Sequence, residues 1–227
     1  MNARIPRYLI ENEGADSAII KQCFEFLVPL CRQQNLRSIT LINPKKGDFP
    51  NGVVSSYLGT AATKQLCKGQ TVAQWPNVSL SLESATTISS ANSYEMVVGI
   101  YLSARQQVVL DSLSAKAITL IPWNKNEGEE WLSTWNVNVL GNDTWQVRPI
   151  ALPFDVEERL LDLSKLINLS NTVFHSSDKS HAKDALVEIK KLGHTLRPGD
   201  IKKWAYRHNW HPDTAEELEK LASRIFD

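Results

Sequence analysis

No glycine-built phosphate cradle is present in this chain. G-x-G-x-x-G is missing, and so is G-x-x-x-x-G-K-[ST]. Their absence excludes a conventional dinucleotide fingerprint and the P-loop mechanism. G-x-S-x-G is missing too, and no histidine stands before position 175. A Ser–His–Asp hydrolase would have to bring its base from the tail. Cysteine is sparse: Cys23, Cys31 and Cys67 are odd in number and lack metal-site spacing. Reduced, buried thiols follow as the expectation. No run of about 18 apolar residues occurs, so no transmembrane helix and no membrane partner is expected. The first residues, MNARIPRYLIENEG, lack the apolar core of a signal peptide, which makes a cytoplasmic location the expectation. Lys+Arg and Asp+Glu are equal at 25. No net charge therefore draws in nucleic acid or an anionic membrane.

What the chain does have is a central stretch from Glu95 to Trp123, EMVVGIYLSARQQVVLDSLSAKAITLIPW. Met96 to Leu102 is apolar without alternation, as is most of Ala117 to Ile121. Such strands are covered on both faces, as in a parallel sheet. Between them Ser103 and Gln106 form S-x-x-Q, a capping box. Val108, Val109 and Leu113 then supply an apolar stripe. This is a βαβ unit, whose crossover is right-handed as a rule. Asn126 with Glu129 predicts a second capping box, and Trp131 and Trp135 share a helix face. Val137 to Leu140 reads as a further strand.

Upstream, Arg4 to Ile10 reads as a strand that Pro6 restricts to an edge or to a strand start. Asp16 or Ser17 caps a helix running to about Asn35, with Ile20, Cys23, Phe24, Phe26, Leu27 and Leu30 packed and Pro29 as a kink. Ser38 to Ile42 is a strand, Asn43 to Gly52 a loop, and Ser56 to Lys68 a helix. Val78 to Glu83 alternates as a strand, and Ser84 to Ser93 is a polar loop. Downstream, DTWQVRPIALPFD reads as an extended connector. Asp155 is expected to cap a helix, and Asp178 and Asp213 to cap two of three more.

The expected fold class is α/β, a Rossmann-like three-layer domain with a mostly parallel sheet, plus a small all-α C-terminal domain. The domains expected are 1–150 for the α/β part, 151–177 for a connector helix and linker, and 178–227 for three helices around Trp204, Leu218 and Leu221. The stretches IPWNKNEGEEWLSTWN and GDIKKWAYRHNWHPDTAEELEKLA resemble uncharacterised bacterial proteins with a Rossmann-like region and a tryptophan-containing helical tail. That resemblance implies an architecture and no activity.

Open α/β sheets bind ligands beyond the carboxyl ends of their strands. Lys45 lies in the loop after one strand. Ser103 and Arg105 open a helix whose free N–H groups attract an anion. Trp123 and Asn124 supply an aromatic wall and an amide after the next strand. Together these residues suit a phosphate and a base. In the competing reading Ser103 only caps, Arg105 is solvated and Trp123 packs. No cofactor is called for, and no metal: His208-x-x-His211 lacks two further ligands.

Lys190, Lys191, Arg197, Lys202, Lys203 and Arg207 form a basic run, yet the last helix opens with Asp213, Glu216, Glu217 and Glu219. Sequence-specific DNA binding is therefore not expected. The function expected is a non-enzymatic ligand-binding or regulatory module for a nucleotide or phosphorylated small molecule, with its C-terminal helices free for a protein partner. The alternatives are an enzyme using the same crevice and a structural interaction module.

Overall fold

The structure, a computed structural model, describes residues 5–141, 144–169 and 174–226. The chain divides into two compact units, one ending at Val147 and the other beginning at Arg148.

The first unit is built on a seven-stranded sheet. Its strands are β1 (Arg7–Leu9), β2 (Ser38–Asn43), β3 (Val72–Trp75), β4 (Val78–Ser84), β5 (Ser93–Ile100), β6 (Ser114–Ile121) and β7 (Asn138–Val139). Their spatial order is β3-β4-β2-β5-β6-β1-β7. Every pairing is parallel except the β3–β4 hairpin. The unbroken apolar runs have the cause the sequence implied. Met96, Val98 and Ile100 enter one core with Ile39 and Leu41, while Val97, Ile118 and Leu120 enter another with Leu9 and Ile42. β5 and β6 are adjacent, with Val98 beside Thr119 and Ile100 beside Ile121. Ile118 is fully buried. Replacing it by alanine is expected to cost about 2–5 kcal/mol in urea denaturation. A cost below half of that would mean that this face is not packed as described.

Helices cover both faces. One face carries α1 (Ser17–Gln33), α2 (Val53–Leu58) and α3 (Thr60–Cys67), through Phe24, Leu27, Val54 and Leu66. The other carries α4 (Ala104–Asp111) and α5 (Lys125–Thr134), through Leu110, Trp131 and Leu132. Trp145, beyond β7, also packs there. Its ring lies so close to Gly128 that a Cβ at that position would stand 2.0 Å from the ring. No bulkier residue fits without moving the tryptophan.

Several expected details differ. Pro6 marks a strand start, and β1 lies inside the sheet between β6 and β7. Phe26 is exposed, on the outer side of α1. The helix expected over 56–68 is two helices. Gly59 adopts φ 85° and ψ 161° between them, outside helical geometry. β3 has no counterpart in the sequence reading; it is an edge strand turned by Pro76 and by Asn77 at φ 64°. On α4, Val109 packs against the core as expected, but Gln107 is buried too, donating to the carbonyls of Leu102 (3.0 Å) and Glu127 (3.2 Å).

The second unit comprises α6 (Phe154–Leu166), α7 (Ser176–Lys191), α8 (Pro198–Arg207) and α9 (Pro212–Phe226). α6 belongs to this bundle and is not a connector: Trp204 and Trp210 of the tail reach Glu157 (3.3 Å) and Ser164 (2.9 Å) on it. Leu160, Leu186, Ile201, Trp204, Leu218 and Ala222 are buried, whereas Leu221 is half-buried. Asp155, Asp178 and Asp213 each lie inside a first turn instead of capping it. Pro153 at the cap of α6 and Pro212 at the first position of α9 draw the helix start upstream, because proline presets the helical φ. Acidic residues are favoured by the helix dipole at either place, so composition alone does not separate the two. Among the described residues no helix is long and apolar enough to cross a membrane.

Candidate functional site

The site follows from which face each connection takes. β2 hands the chain to α2 on one face, and its neighbour β5 hands it to α4 on the other. Their carboxyl ends therefore diverge and open a crevice, the place where open α/β sheets bind ligands. Here it is a cleft of about 170 Å³ lined by Asn43, Pro44, Asp48, Phe49, Gly52, Val54, Ile100 and Tyr101. A 3-10 helix, Lys46–Asn51, folds the expected loop back over the end of β2 and brings Phe49 into the core. The Asn43 side chain donates to the Lys45 carbonyl at 2.8 Å, which fixes that turn and leaves its oxygen as an acceptor.

Tyr101 is the unusual residue. It sits at φ 53°, in the left-handed region, at the end of β5. Bulky side chains rarely adopt this conformation, and such strain gathers at functional sites. Its backbone N–H is held by Ile121 O at 2.8 Å, and its ring meets Trp123 edge-on with centroids 5.1 Å apart. Its hydroxyl is buried with no hydrogen-bond partner among the described residues. Burial, with added repulsion from Asp16 and Cys23, pushes that hydroxyl up to about 12, so it remains a donor at neutral pH.

The five residues singled out from sequence stand at the ends of three neighbouring strands, β2, β5 and β6, and thus at one edge of the sheet. None of them lines the cleft itself. Lys45 and Arg105 are exposed. Ser103 caps α4, with Gln106 Oε1 accepting from its N–H (3.2 Å) and its hydroxyl (3.0 Å). Trp123 joins the group through its contact with Tyr101. Asn124, not Asn126, caps α5 by accepting from Glu127 N at 3.0 Å. The sequence holds two overlapping N-x-x-E spacings, and the first wins because Glu127 also accepts from Trp123 N at 3.0 Å. Sequence reasoning passed over Asn43, Phe49 and Tyr101. Phe49 falls in a stretch that reads as loop and Tyr101 in one that reads as buried strand, and only the backbone geometry at Tyr101 marks it out.

Two cations of the tail's basic run are paired with acids of the same unit. Lys202 lies 2.6 Å from Glu219, and Arg197 2.9 Å from Asp200. His194 contacts Asp155 at 2.9 Å. That contact holds the exposed Asp155 carboxyl below its usual range. Among the described residues no group of three or more His, Cys, Asp or Glu is placed to hold a metal.

An α/β sheet with a crevice at a strand-order reversal, followed by a four-helix unit, is thus the class of protein that this fold defines. Residues 156–227 match a family model described as a domain of unknown function, DUF1889. That span is almost the whole helical bundle and none of the sheet. No curated protein and no solved structure matches the chain.

Proposed function

We propose that the first unit binds a nucleotide or a similar phosphorylated small molecule in the crevice between β2 and β5. The observation that carries this reading is Tyr101, which lines the cleft with a strained backbone at the strand-order reversal. Apolar walls from Phe49, Val54 and Ile100 take a flat organic group, and the Asn43 oxygen and Asp48 accept from its N–H or O–H groups. The phosphate faces the rim, where Lys45 adds charge and Arg105 presents a fork of donors beside the amino end of α4. In this reading the helical unit contacts a protein partner; Phe154 and Leu166 on α6 are 81% and 65% exposed and apolar.

Calorimetry with mono-, di- and cyclic nucleotides tests the reading. Arg105→Ala is expected to weaken binding by about 1.5–3 kcal/mol, the range for hydrogen bonds to charged groups, with the thermal midpoint unchanged. No heat from any nucleotide at millimolar concentration would sink it. Conversion of the bound nucleotide during the titration would instead identify an enzyme.

A further inference from the structure

The sheet has a second reversal. β6 hands the chain to α5 on one face, and its neighbour β1 hands it to α1 on the other. Beside β1 lies a larger opening of about 360 Å³, lined in part by Glu11, Asn12, Glu13, Asp16, Gln22 and Trp145. Among the described residues its lining holds three carboxylates and no cationic side chain.

Two facts give it chemistry. Glu11 is held rigidly, accepting from Thr144 N (2.8 Å), Thr144 Oγ1 (2.5 Å) and Trp145 N (2.7 Å). Asn12 is only 3% exposed, and its Nδ2 donates to two carbonyls, Gly14 O at 2.8 Å and Pro122 O at 2.7 Å. Those two acceptors fix which way the amide faces. Its Oδ1 is thereby left as a buried acceptor with no donor among the described residues. A buried acceptor left unpaired is costly, and a donor that fills it is rewarded.

We infer that this second crevice is a site for a small organic cation carrying N–H donors, an ammonium or a guanidinium. Several N–H groups on one cation bridge acceptors that stand too far apart to share a metal ion, which agrees with the lack of any metal-holding cluster among the described residues. The amino end of α1 does not invert the local charge, because Asp16 Oδ1 already accepts from Ala18 N (2.7 Å) and Ile19 N (3.3 Å). The other Asp16 oxygen and the exposed Glu13 complete the negative wall. This site shares no lining residue with the nucleotide crevice.

The test is calorimetry of the full chain with agmatine and with 1,4-diaminobutane, with magnesium chloride as a third arm. Saturable binding of one amine is expected, weakening as salt is raised. Asp16→Asn keeps the helix cap, since Asn caps as well as Asp, and Glu13→Gln changes an exposed residue. The double variant is expected to bind the amine about tenfold more weakly with an unchanged far-ultraviolet spectrum, because charge-assisted bonds are lost. Absent amine binding in the wild type, equal binding by the folded double variant, or magnesium displacing the amine at equal concentration would each overturn the proposal. Nucleotide titration of the same double variant is expected to match the wild type; a loss there would show that the two crevices are one site and would overturn the assignment equally.

Discussion

Asp111→Ala is expected to lower the unfolding free energy by about 3–5 kcal/mol at pH 8, the cost of leaving one partner of a buried ion pair uncompensated. Asp111 ends α4 and lies 3.3 Å from Arg7 of β1, both nearly enclosed. The Arg7 guanidinium also stands over the Trp135 ring at 3.6 Å and near that of Trp131 at 5.1 Å. Removing the carboxylate leaves a cation held by two aromatic faces alone. The same burial predicts a pH effect. It pushes Asp111 from 3.8 up to about 7, with Arg7 opposing the rise, and it pulls Arg7 down. A carboxyl with a raised folded pKa is bound to its proton in the native state and not in the unfolded one between those values. Unfolding then releases a proton, so the stability contributed by this group is full below pH 3.8 and falls as pH rises to about 7. Urea denaturation of the wild type relative to Asp111→Asn, taken at pH 4.5 and pH 7.5, isolates the term. An unchanged difference would show that the carboxyl is solvated, and wild-type stability in Asp111→Ala would show that the pair is not buried.

The second large effect belongs to the helical unit. Trp204→Ala is expected to cost about 3–5 kcal/mol, as for other buried aromatic truncations. The ring is 1% exposed and stacks on His208 with centroids 3.9 Å apart. Its indole N–H donates to Glu157 at 3.3 Å, which ties α8 to α6. Truncation opens a cavity between these helices and removes that tie. Hydrogen exchange of the full chain is the direct measurement. Protection should fall across α6, α8 and α9 and stay unchanged in β5 and β6. Unaltered exchange in the bundle would mean that Trp204 does not hold it together.

The parallel core was legible because burial on both faces removes polar residues from a strand altogether, as in Met96 to Ile100 and Ala117 to Ile121. The helical stripes in the tail were legible for the matching reason, with Ala182, Leu186 and Ile189 at helical spacing. What escaped were features decided by tertiary partners. Arg7 beside a proline reads as a solvated strand end, and nothing local announces Asp111, more than a hundred positions away. Gln107 reads as a surface residue until two carbonyls claim it. The edge of the sheet that carries the candidate site was derivable from the strand–helix alternation, and the strand ends of Lys45, Ser103 and Trp123 do adjoin. The lining of the cleft was not, because it depends on a 3-10 turn that brings in Phe49 and on a backbone angle at Tyr101. Sequence spacing encodes neither.

The position of β1 has a consequence for how the chain comes to be made. Of the strands in this sheet it leaves the ribosome earliest, yet its two neighbours are β6 and β7, and Arg7 lies beside Ile118. Roughly 110 further residues must be synthesised before either neighbour exists, which at roughly 5–20 residues per second amounts to roughly 5–20 s. Throughout that interval Leu9 and Ile10 have no sheet to enter, and Arg7 has neither its carboxylate nor its tryptophans. β2, β4 and β5 have their partners much sooner, whereas β1 waits for β6, and β7 in turn pairs only with β1. The nascent chain thus carries an unpaired strand until β6 is made. The positive charge of Arg7 and the rigid Pro6 beside it are the features that discourage that strand from pairing with anything else.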